Sequence, residues 1–229
     1  MKVNKQILNT YNKRAIIDLI RTRNPIFKAE ISRMTGLSIP TVMKITDDFI
    51  KNGLVKVQGK GESSGGKRPE LLEFIYDAYY IVGVDIGRNS IKTILMDLDA
   101  NKLSSNIVKT ENTKPEKKVI DKIISSIETV INKSNVDKEK ILGIGVGMPG
   151  LLDIENGIVL FSPDFDWEEV QLVQPLKEYF NLPIYIENST RAIAMGEKWF
   201  GIGAMASNFV CVNLGHGIGS AIVIDGEVY

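Results

Sequence analysis

The chain has 229 residues, 44% of them apolar, enough to bury a core in one or two domains. Its 28 Lys/Arg and 28 Asp/Glu cancel, but residues 1–78 hold 14 basic against 8 acidic side chains and the remainder 14 against 20, so a cationic segment suited to a polyanion precedes an anionic one. A single cysteine, Cys211, excludes an intrachain disulfide and a multi-cysteine metal site. No run approaches the roughly 18 apolar residues of a membrane helix, and the opening MKVNKQILNTYNKR lacks the apolar centre of a secretion signal, so a soluble cytoplasmic protein without membrane partners is expected.

Leu8, Tyr11, Ala15, Ile16, Leu19 and Ile20 recur at helical spacing and predict a first helix that ends before Asn24-Pro25. A short second helix, Lys28 to Thr35, is expected to bury Ile31 and Met34 and to close at Gly36. Ser38 then caps a third helix from Ile39 to Asn52, with Pro40 tolerated in its first turn and Val42, Ile45, Phe49 and Ile50 forming the buried stripe. Ser38, Thr41 and Lys44 fall on the outer face near the start of that helix, where a recognition helix meets the major groove. Two short strands, Val55 to Gln58 and Leu71 to Phe74, flank a Gly/Ser-rich loop carrying Lys67 and Arg68, which suits a wing against a phosphate backbone. Residues 1–78 therefore read as a winged helix-turn-helix domain for double-stranded DNA, with Ser38, Pro40, Thr41, Lys44, Lys67 and Arg68 as candidate contacts.

The remainder is punctuated by glycine. Tyr80 to Gly87, Ile91 to Leu98 and Leu103 to Lys109 predict three consecutive strands, and Pro115 to Lys133 an amphipathic helix. A strand over 141–147 ends in Pro149-Gly150, a helix is expected around Glu168 to Phe180, and the strand Ile184 to Ile186 precedes a helix from Thr190 to Phe200. Asn208 to Leu214 and Ile218 to Ile224 form a hairpin around Gly215-His216-Gly217. This order predicts an α+β or α/β, RNase H-like lobe. Its strand ends carry polar residues beside glycine (Asp85-Ile86-Gly87, Gly147 to Gly150, Glu187-Asn188, Gly215 to Gly219), and such ends gather ligands in open α/β sheets. His216, the sole histidine, reads as a residue of a solvated turn with no second metal ligand nearby in sequence.

The chain resembles the ROK family, bacterial sugar kinases together with repressors built on the same domain. TGLSIPTV and GESSGGKRP are similar to the repressors' helix-turn-helix and wing, GVDIGRNSIK to the kinases' first phosphate loop, GVGMPGLLD and IENSTRAIAMGE to the sugar-binding and catalytic segments, and NLGHGIGSAIVIDGEVY to the second phosphate loop. The resemblance implies an actin-like lobe over 79–200, the start of a second lobe over 201–229 that is truncated, and a monosaccharide site drawing on Pro149, Gly150, Asn188 and Ser189. It also marks departures. Where the kinases carry an aspartate general base after the asparagine, Ser189 follows Asn188, and a serine hydroxyl is a poor proton acceptor near neutrality. Arg88-Asn89-Ser90 replaces Gly-Thr-Lys in the first loop and His216 replaces threonine in the second, so Asp85, Gly87, Gly215 and Gly217 mark vestigial phosphate loops with no catalytic residue among them.

The family's zinc motif falls beyond residue 229, so no metal or other cofactor is expected in this chain. What the resemblance implies is a sugar-responsive repressor of carbohydrate-utilisation genes that binds operator DNA as a homodimer or higher oligomer and releases it to a monosaccharide. The alternatives are a ROK kinase with an appended DNA-binding domain, and a constitutive DNA-binding fragment whose sensor no longer functions.

Overall fold

The structure, a computed structural model, describes residues 5–60, 70–111 and 114–229, and the chain divides into two units, Met1–Ala78 and Tyr79–Tyr229. In the first, helix α1 (Lys5–Thr22) turns Ile16 and Ile20 inward; strand β1 (Ile26–Phe27) leads into α2 (Lys28–Thr35), which contributes Ile31; and α3 (Ile39–Lys51) adds Val42, Ile45 and Phe49. Strands β2 (Val55–Lys60) and β3 (Glu70–Phe74) complete an antiparallel sheet of order β1-β3-β2 and close the core with Val55, Leu72 and Phe74. The expected loop with Lys67 and Arg68 lies outside the described residues.

The second unit is built on a five-stranded sheet. Strands β4 (Tyr80–Ile86), β5 (Ser90–Asp97) and β6 (Lys102–Lys109) run antiparallel; β7 (Ile141–Met148) and β11 (Ile184–Asn188) add parallel to β4, giving the order β11-β7-β4-β5-β6. Helix α4 (Glu116–Ser134) places Val119, Ile120, Ile123, Ile127 and Val130 in one buried stripe against Val82, Val84, Ile91 and Leu95 of the sheet. A buried hydroxyl pair, Thr93 Oγ1 to Ser126 Oγ at 2.8 Å, joins α4 to β5, and Asn106 Nδ2 donates to the same Ser126 oxygen at 3.1 Å. Every polar group in that seam thereby keeps a partner, as burial requires.

Between β7 and α5 (Val173–Phe180) the chain forms a small antiparallel sheet of β8 (Leu151–Asp153), β9 (Ile158–Ser162) and β10 (Trp167–Gln171). Phe165 and Trp167, with ring centroids 5.2 Å apart, anchor it in the main core. After α6 (Ser189–Phe200), strands β12 (Phe209–Leu214), β13 (Ile218–Ile224) and β14 (Glu227–Val228) make a third sheet. Among the described residues no helix is long and apolar enough to cross a membrane.

Two expectations need correction. Residues 167–171 are a strand and not the start of the helix expected from about Glu168, because Trp167 is held in the antiparallel ladder opposite Ser162. Met34, expected to be buried, is 42% exposed, since the small first-unit core is already filled by Ile16, Ile20 and Ile31. In the β12–β13 hairpin Ala221 and Val223 are buried against Ala194 of α6, while Val210, Val212 and Ile224 on the other face stay exposed.

Candidate functional site

Each unit presents one candidate site. In the first unit, α2 stops at Gly36, whose φ of 70° is the left-handed geometry that closes helices. The turn is held locally: Ser32 Oγ donates to the Leu37 carbonyl at 2.6 Å and Thr35 Oγ1 accepts from Leu37 N at 3.3 Å. Ser38 caps α3, its oxygen accepting from Thr41 N at 3.4 Å and lying 2.9 Å from Thr41 Oγ1. Both hydroxyls therefore organise the start of the helix, and Thr41 is half-buried, whereas Ser38, Pro40 and Lys44 are exposed.

Acidic residues follow on the outer face of α3, and each is compensated. Asp47 pairs with Lys28 at 3.2 Å, and Asp48 with Lys13 at 2.7 Å. The hydrogen bond and charge of Lys13 hold the Asp48 carboxyl below its ordinary value. Lys28, 2.8 Å from Glu70, is pulled down by burial, but its hydrogen bonds to Glu70 and Asp47 and their charges prevail, so its pKa is raised. These pairs leave the first two turns of α3, from Ser38 to Lys44, as the part free of negative charge.

In the second unit the glycine-marked strand ends converge. The parallel register sets Asp85 of β4 beside Gly147 of β7, and Gly147 beside Glu187 of β11, so the three stand in one row at the carboxyl edge. Asn188 links two of the ends. Its Oδ1 accepts from Thr190 N at 2.9 Å and Arg191 N at 3.4 Å, capping α6, while its Nδ2 donates to the Gly150 carbonyl at 3.1 Å. Gly150 itself has φ of 128°, and a Cβ there would overlap the Phe161 carbonyl and stand 3.1 Å from Ser162 Cβ, so only glycine fits this turn. The Ser162 hydroxyl donates to the Pro149 carbonyl at 2.8 Å, fixing the turn from its other side.

The remaining two ends also meet. Asn89 Nδ2 and His216 Nε2 lie 2.7 Å apart, bringing the turn after β4 against the turn between β12 and β13. His216 is thus exposed but partnered, a contact that sequence spacing alone did not foretell. Arg88 extends from the same turn to within 3.6 Å of Asp164.

An open trough of about 660 Å³ runs along the sheet face opposite α4, with Asp85, Lys92, Gly147, Tyr185, Glu187 and Ser189 among its lining residues. Of the sugar candidates only Ser189 reaches it; Pro149, Gly150 and Asn188 lie outside its lining and shape the turn beside it. Glu187, named from the sequence only as part of a polar strand end, accepts from Arg191 Nε at 2.9 Å and Asn188 N at 2.8 Å. Asp85 faces Lys92 at 3.9 Å, both half-exposed, an interaction of little energetic weight. No hydrogen bond from the Ser189 hydroxyl is found among the described residues, and Ser189 lines the trough. Among the described residues no group of three His, Cys, Asp or Glu side chains could hold a metal ion.

This arrangement defines a sugar-kinase-type lobe, and the profile of the ROK family matches residues 81–229. The chain belongs to the ROK family. It is 34% identical over 226 residues to the xylose repressor of Caldicellulosiruptor bescii, covering 99% of this chain and 57% of the relative, so it spans little more than half that protein's length. Among solved structures, a ROK-family transcriptional regulator described as a homologue of the E. coli MLC protein aligns over 97% of this chain and 56% of its own at TM-score 0.82 and 25% identity. A ROK glucokinase from Streptomyces griseus, in complex with glucose and AMPPNP, aligns over 66% of this chain and 46% of its own, at TM-score 0.60 and 29% identity.

Proposed function

We propose that the chain acts as a sugar-responsive transcriptional repressor of carbohydrate-utilisation genes, residues 1–78 being a winged helix-turn-helix that binds operator DNA as a dimer and residues 79–229 the opening part of a non-catalytic sugar sensor. The observation that carries the reading is the residue at the head of α6. A serine stands where phosphoryl transfer needs a carboxylate base, a group worth typically 10²–10⁴-fold in rate. Its hydroxyl suits hydrogen bonding to a sugar, next to the turn that Gly150 and Asn188 fix. The Asn89–His216 contact supports the same conclusion, because it joins the two turns between which the phosphates of a nucleotide would have to pass.

The DNA-binding half draws on the exposed, capped start of α3 and on the surplus of six basic residues in the first 78. Release requires the sugar to favour one arrangement of the protein over another, since equal affinity for both shifts nothing. D-xylose is the first sugar to test, given the name of the C. bescii relative.

Thermal unfolding followed by tryptophan fluorescence, with a panel of hexoses and pentoses, tests the sensor. A binding sugar at 100 times its Kd adds about 2.7 kcal/mol, or roughly 5–11 °C for a unit of this size. A coupled assay for ADP should stay at background with every sugar. Turnover would overturn the repressor reading in favour of a kinase, and a panel without any shift would remove the sensor half of it.

A further inference from the structure

The first two turns of α3 carry two apolar side chains that the core does not use. Ile39 is 42% exposed and Met43 40% exposed, on the flank of the stripe through which the helix buries Val42, Ile45, Thr46 and Phe49. Their i, i+4 spacing places them one above the other on a single flank, next to exposed Pro40 and Lys44. Resting on the DNA-binding reading above, we propose that Ile39 and Met43 are specificity-determining residues that read thymine methyl groups in the major groove.

The argument is one of chemical matching. In the major groove guanine, cytosine and adenine offer only donors and acceptors in this region, and thymine alone adds an apolar methyl. An aliphatic or thioether side chain pressed against a donor or acceptor strips its water and returns no hydrogen bond, which penalises those bases. Against a methyl it gains burial. Position favours the same outcome, because residues at the start of a recognition helix contact base edges. Charge agrees too: Asp47 and Asp48 farther along the helix are held by Lys28 and Lys13, and Lys44 beside Met43 is a cation for the adjoining phosphates. A nucleic-acid surface therefore fits this flank better than a protein partner, which would leave the six surplus positive charges of residues 1–78 unmatched.

Duplexes selected from a random pool with the full 229-residue chain provide the probe. Each thymine of a selected duplex is replaced in turn by deoxyuridine, which removes only the 5-methyl group, and affinity is measured by fluorescence anisotropy at one salt concentration. Wild type should lose about fourfold for each contacted methyl, the value of one buried methylene, at one or two positions per half-site. Met43→Ala should abolish the uracil effect at one position and Ile39→Ala at another, each leaving the salt slope unchanged. Both positions are surface-exposed, so the variants should keep wild-type circular dichroism, and the selected duplexes should lose thymine enrichment at the matching position. Wild-type indifference to deoxyuridine throughout, or uracil effects unaltered in both variants, would overturn the inference while leaving DNA binding intact. A chain that selects no duplex would overturn this inference and the proposed function together.

Discussion

Replacing Asn188 separates the two jobs its side chain performs. Asn188→Ala removes the cap of α6, which is worth about 1 kcal/mol, and withdraws the donor to the half-buried Gly150 carbonyl at 3.1 Å, roughly 1 kcal/mol more. The expected loss is about 2 kcal/mol, or some 4–8 °C in Tm for a unit of this size. Asn188→Asp keeps an oxygen for Thr190 N and Arg191 N, and its charge is favourable at a helix N-terminus. It cannot donate to Gly150, so it should fall between wild type and the alanine variant. Urea unfolding followed by tryptophan fluorescence is a clean assay, because both tryptophans, buried Trp167 and half-exposed Trp199, lie in the 79–229 unit. An alanine variant as stable as wild type, or an aspartate variant no better than alanine, would refute the clamp.

Ser126→Ala should cost about 2 kcal/mol, because it strands both Thr93 and Asn106, whereas Thr93→Val leaves Ser126 its bond from Asn106 and should cost about half as much in the same unfolding assay. For Lys28, whose pKa in the folded state is raised, the contribution to stability is complete below the ordinary value of 10.5 and is lost as pH rises through the raised one. Circular dichroism melts of wild type should accordingly weaken above about pH 10.5, and Lys28→Met should flatten that limb; an identical alkaline limb in the variant would contradict the assignment.

Periodicity made much of the fold legible. The stripe from Val119 to Val130 and the interior of α3 are positions at which a 3.6-residue repeat and burial coincide. Trp167 to Gln171 misled because Trp167, Val170 and Val173 also fit a helical repeat, and only the pairing with β9 decides for strand. The strand-end glycines marked ends that the structure brings together. Its internal connections were not readable. Asn188 to Gly150 and Asn89 to His216 join residues 38 and 127 positions apart, and such pairs depend on how sheets and turns dock, not on local pattern. Asn188, expected among the sugar contacts, turns out to spend its carbonyl oxygen on a helix cap, which shifts weight toward the neighbouring Ser189.

The most direct test of the account is the affinity of the 229-residue chain for a selected duplex, measured by anisotropy between about 50 and 200 mM salt and repeated with the sugar that raises Tm. A DNA-binding repressor should lose at least about tenfold in affinity over that salt range through counterion release, and the sugar should weaken binding further at fixed salt without changing the oligonucleotide preferred. Affinity that is flat against salt, or that no sugar alters, would contradict it.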